Sequence, residues 1–84
     1  MGIVDRAQGV MSREDLVNFI EQFSNTVREE PVSWENDSLE GFLKAWSAWL
    51  RDMDGYFINR GEGVPAEPSW QLIAQMLLAA RTYE

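Results

Sequence analysis

The sequence predicts an all-α fold, a compact domain of three helices over about 13–28, 37–53 and 69–82. Three observations predict it. Each stretch carries apolar residues at the three-to-four spacing of one helix face. Each begins at a Ser or Asp suited to cap a helix start. Between them stand Pro31, a Gly-rich cluster at 55–63, and Pro65 with Pro68, all residues that interrupt helices. A chain of 84 residues makes one domain. At that size roughly 60–65% of the unfolded chain's surface is buried on folding, so the core must be dense. There is no Cys to staple it, but four Trp, four Phe and two Tyr are available. Each such ring buries about 150–250 Å².

Taken in order, residues 1–11 have no helical period and contain Gly2 and Gly9. They are expected to be a loose N-terminal arm, with residues 12–84 as the single helical domain. The alternative is that Ile3, Val4 and Val10 pack on the core. Ser12 caps the first helix, and Glu14 and Asp15 suit its positive end. Leu16, Ile20, Phe23 and Val27 share a face, and Pro31 stops the helix because the residue before proline is pushed out of the α region. Val32 and Trp34 alternate with polar neighbours, so a short extended segment is expected near 32–34. Trp34 is placed at one end of the core, where its indole N–H would need a partner.

The second helix is expected to start at Asn36 or Asp37, in a capping box with Asp37 as the cap and Glu40 reaching back. Leu39, Phe42, Leu43, Trp46, Leu50 and Met53 lie within about 100° on a helical wheel. Trp49 falls at the margin, and Ala45 and Ala48 fall outside. The helix is expected to end over Asp52 to Asp54, with Gly55 as the left-handed residue. Tyr56, Phe57 and Ile58 are β-preferring, so a second short extended segment is expected near 56–58, before a turn over Asn59 to Gly63. Ser69 caps the third helix. Residues 70–80 carry no charge, which makes this helix the central one, packed against both others, and eleven residues are too few to span a bilayer.

Composition excludes several function classes. Fourteen acids against seven bases give a net charge of −7. Phosphate neutralisation by Lys and Arg supplies most nucleic-acid affinity, so no nucleic-acid partner is expected. An anionic membrane surface is disfavoured in the same way. With no His and no Cys, the commonest general base and the usual transition-metal ligands are missing. No transmembrane segment or signal peptide is apparent, and the cytoplasm is the expected compartment.

Asp52-Met53-Asp54-Gly55 has the look of the middle of a calcium loop. In that register, however, the first and twelfth positions are Leu50 and Gly61, where the loop needs an acid and a bidentate Glu. A turn stabilised by the two Asp side chains is the preferred reading. A metal or small ligand at 52–62 is the alternative. Paired carboxylates are plentiful, but nothing in the sequence sets one in an apolar cleft, and no nucleophile or phosphate-loop motif occurs. No catalytic residue, cofactor or metal ligand is assigned, and the protein is read as a non-enzyme.

From Glu29 to Leu43 there are five acids and no base. Acids around an exposed aromatic suit a basic protein partner. The candidate partner surface is therefore Trp34, Glu35, Asp37, Glu40, Trp49, Asp52 and Asp54, while Trp46 is assigned to the core. A homodimer burying Leu78, Trp49 or Tyr83 is the structural alternative.

The patterns W-E-N-x-x-L-x-x-F-L-x-A at 34–45, W-L-x-D-M-D-G-Y-F-x-N-x-G at 49–61 and P-S-W-x-x-I-A-x-M-L-L-A-A-x-x-Y-E at 68–84 resemble a family of small bacterial proteins of unknown function. The resemblance covers roughly Trp34 to Glu84. It implies no activity, cofactor or catalytic residue. By analogy of type, small acidic bacterial proteins of this kind include toxin-neutralising immunity proteins. The expected function is thus a protein-binding module with an acidic and aromatic surface.

Overall fold

Ser12, Ser38 and Ser69 start the three long helices. Each hydroxyl accepts the N–H three residues on, from Asp15, Gly41 and Leu72, at 3.0 Å. The computed structural model describes residues 2–83, all-α with no strand among them. Its helices are α1 (Ile3–Gln8), α2 (Arg13–Glu29), α3 (Leu39–Asn59) and α4 (Trp70–Ala80), with a 3-10 turn at Pro31–Ser33. The expected first and third long helices are borne out as α2 and α4. No helix among the described residues is long and apolar enough to cross a membrane.

Helix α4 is the hub, because α1, α2 and α3 all pack on it. Its buried residues Leu72, Ala74, Met76 and Ala80 lie on more than one side of the helix, as an uncharged sequence requires. Two apolar clusters follow. One joins Ile3, Ala7 and Val10 to Leu16, Phe19, Phe23 and Ala74. The other joins Trp49 and Phe57 to Leu72 and Met76.

The N-terminal residues correct the expectation of a loose arm. Helix α1 buries Ile3 and Ala7, the residues after it bury Val10, and Gln71 Nε2 donates to the Gln8 carbonyl at 2.6 Å. The physical reason lies in α4. Leu78 sits roughly opposite the main α4 stripe and packs against the cluster that α1 completes. Val4 remains half-exposed.

Helix α3 corrects three expectations. Its cap is Ser38 and not Asp37, and Glu40 instead meets Lys44 at 3.7 Å in an exposed pair. Residues 32–34 and 56–58 are not extended: the first lie in the 3-10 turn and the residue after it, the second within α3. The helix also runs straight through Asp52 to Gly55. Continued packing is the reason, since Phe57 is buried with Trp49, Leu72 and Met76 and Tyr56 packs on Trp49 and Phe57. The left-handed residue is Gly61, with φ +70°. There the Gly61 N–H reaches the Ile58 carbonyl and the Glu62 N–H the Phe57 carbonyl, at 3.0 and 2.9 Å. This is the Schellman arrangement that satisfies the last carbonyls of a helix.

The two glycines therefore respond oppositely to a side chain. A Cβ at Gly55 would meet nothing within 4 Å, so Gly55→Ala should stabilise by about 1 kcal/mol. Gly61→Ala should destabilise by about 1 kcal/mol, because its φ is positive. Urea unfolding of both variants checks this. A turn at Gly55 would reverse the first sign.

Candidate functional site

The backbones of α2 and α3 do not approach each other. They lean on α4 and leave a groove of about 530 Å³ between them. One wall is Ile20, Phe23, Ser24 and Val27 of α2, the other Leu39, Phe42 and Trp46 of α3, and Ile73 and Leu77 of α4 form the floor. Trp34, Asn36, Asp37 and Ser38 close one end.

The groove exists because each apolar stripe is wider than what covers it. On α2 the buried residues are Leu16, Phe19, Phe23 and Thr26, which leaves Ile20 43% and Val27 48% exposed. On α3 the buried residues are Ala45, Trp49 and Phe57, with Leu39 76% and Leu43 50% exposed. The covered face of α3 is thus rotated from the predicted one. Ala45 is in the core, and Trp46 is half-buried at the groove wall with its indole N–H donating to Met76 Sδ at 3.4 Å.

The W-E-N motif builds the groove's closed end. Trp34 packs at a tilt against Phe23 and Phe42, with centroids at 4.9 and 5.5 Å. Its Nε1 donates to Thr26 Oγ1 at 2.9 Å, which meets the need for an indole partner. Asn36 ties the loop to the end of α4: its backbone N–H donates to the Arg81 carbonyl, and its Nδ2 to those of Ala80 and Tyr83 at 3.0 and 2.8 Å. The Ala80 and Arg81 carbonyls stand at the end of α4 and need an outside donor. With Trp34 and Asn36 fastened inward, Glu35 between them is left exposed. Beneath, the Arg81 guanidinium lies over the Phe23 ring at 5.8 Å and donates to Ser33 Oγ at 3.0 Å. Burial pulls its pKa below the usual guanidinium value, with Glu30 acting the other way.

The sequence-predicted surface therefore divides. Trp34 and Asp37 line the groove, and Glu35 and Glu40 are exposed close by in the chain. Trp49 does not belong to a surface: at 4% exposure it is core, because α3 turns this residue toward Leu72 and Met76. Asp52 and Asp54 are exposed on α3, away from the groove lining, and project to nearly opposite sides of the helix, about 160° apart. That separation removes the geometric basis for a loop site at 52–62, and no group of three metal-ligating side chains occurs among the described residues. The residues offered for a homodimer are largely engaged within the chain, as Trp49 is buried and Leu78 packs on the first cluster.

Asp52 instead accepts a hydrogen bond from the Tyr83 hydroxyl at 2.5 Å. That bond, above all, raises the tyrosine pKa above its ordinary value of 10.0. Its contribution is present below that value and is lost as pH rises through the raised one. Tyr83→Phe should therefore melt lower than the parent at pH 7, and the gap should close above pH ~10. A gap unchanged with pH would contradict the hydrogen bond.

Sequence reasoning missed Ile20, Val27, Leu39 and Phe42 as site residues. Their apolar spacing was visible, but it marked them as core. A family model described as "Family of unknown function (DUF7660)" matches residues 12–84, from the cap of α2 onward. No curated protein and no solved structure matches the chain.

Proposed function

The chain belongs to that family of unknown function, and we propose that it is a non-enzymatic protein-binding module whose working surface is the α2–α3 groove with its acidic end. The observation that carries this is the pair of uncovered apolar walls. Large contiguous apolar patches on a monomeric domain, rimmed by polar residues, often mark an interaction site. The charge beside it sets the partner's sign. Glu35, Asp37 and Glu40 are exposed at or near the closed end, and the chain carries −7 overall. A basic partner gains attraction there that an acidic or neutral one does not. In its narrower form the reading is an immunity-type neutraliser acting in the cytoplasm, with the groove masking a basic protein.

The test uses a purified partner obtained by affinity capture. Its binding should weaken as NaCl rises from low to high concentration. It should weaken further with Asp37→Lys together with Glu40→Lys, and with Ile20→Glu. A partner indifferent to salt, to the charge reversals and to Ile20→Glu would refute the reading.

A further inference from the structure

We propose that the groove's occupant is an amphipathic α-helix of a partner protein, about two to three turns long, with Lys or Arg beside its apolar face. The proposal rests on the groove being the binding surface and names what fills it.

Three features argue for a helix. First, an extended peptide would find no sheet edge among the described residues. Its backbone N–H and C=O groups would lie against apolar side chains without partners, which is costly, whereas a helix satisfies its own. Second, the walls have helical dimensions. Ile20 to Val27 on one wall and Leu39 to Trp46 on the other each span about 10 Å, at ~1.5 Å per residue. That length holds apolar side chains at i, i+3 or i+4, and i+7. Third, α2 and α3 already lie on α4 with a gap between them, so an added helix can wedge its apolar face between theirs while its backbone stays above the rim.

Charge selects among occupants. Asp37 lines the closed end, with Glu35 and Glu40 near it. The nearest base along α3, Lys44, is already engaged by Glu40. Glu40 is partly neutralised by that pair, so basic residues flanking the docked face meet the carboxylates of Glu35 and Asp37, which no ion pair among the described residues neutralises. A second copy of this chain would bring its own −7 to the same face and be repelled. The groove is open to solvent and apolar apart from its end, a poor match to the enclosed, polar-pointed sites of small ligands.

The test is selection of random 18-residue peptides displayed on phage against the full chain. Enriched peptides should carry the i, i+3/i+4, i+7 apolar pattern with Lys or Arg. They should gain helical circular dichroism on binding and lose affinity at least about tenfold when a central residue is changed to Pro. Ile20→Glu combined with Leu39→Glu should weaken them by a similar factor. Both positions are exposed enough to accept charge, which an unchanged melting curve verifies; Ile20→Ser with Leu39→Ser serves if the charged pair melts lower. Peptides that bind in the groove but are extended or acidic would overturn the helix while leaving the groove standing. Peptides unaffected by either groove pair, or a selection that enriches none, would overturn both.

Discussion

Phe23→Ala should cost about 4 kcal/mol, the range for removing a large buried ring. Phe23 is buried and stacks on Phe19 at 5.4 Å, meets Trp34 at 4.9 Å, and lies beneath the Arg81 guanidinium. Its loss would empty the place where α2, the W-E-N loop and the end of α4 come together. A domain of this length is stable by roughly 4–13 kcal/mol, so the variant should be near the edge of folding. Ile20→Ala, one turn away, should cost under about 1 kcal/mol, because Ile20 faces the open groove and not the core. Urea unfolding measures both. Equal costs would mean that something within the monomer covers Ile20.

Deletion of residues 2–10 should destabilise by about 3 kcal/mol, reflecting lost burial of Ile3 and Val10 offset by the entropy of releasing the segment. Ala7→Asp sets a carboxylate into a position that is 1% exposed. An unpaired buried charge is far more expensive than undocking α1, so the helix should let go. Ala7→Asp and the deletion should therefore share one stability loss. A deletion without effect would restore the loose arm that residues 1–11 suggest on their own. A greater loss for Ala7→Asp than for the deletion would show that α1 cannot leave as a unit.

How much of this was legible in the sequence depends on where the deciding interaction lies. Helices α2 and α4 are written locally, in Ser12, Pro31 and Ser69, and both formed as expected. The end of α3 is not. Gly55 after two Asp residues has every local mark of a helix stop, yet burial of Phe57 against Leu72 and Met76 outweighs the cost of one interior glycine, about 1 kcal/mol. The same rule of a left-handed glycine applies six residues later, at Gly61. Helix α1 was illegible for a related reason: six residues are too short to declare a helix and become one only by docking.

The candidate site was half legible. Trp34, Asp37 and the acidic run around them were found through composition, since charge density is a property of sequence. The apolar walls were not found, because periodicity shows which residues share a face and says nothing of whether a neighbour covers it. Trp49 and Trp46 make the point together. Their positions on the wheel suggested margin and centre; in the fold Trp49 is buried and Trp46 is only half-buried, since α3 meets Leu72 and Met76 of α4 through Trp49 and Phe57 and leaves Leu39 exposed.

The most direct test of the groove as the working surface is amide chemical-shift mapping of the full chain on titration with a bound partner or selected peptide. The account predicts the largest shifts at Ile20, Ser24, Val27, Ser38, Leu39 and Trp46, with little change at Met11, Trp70, Asp52 and Tyr83. Shifts concentrated on the Met11–Trp70 side, or at Asp52 and Tyr83, with the groove silent, would contradict it.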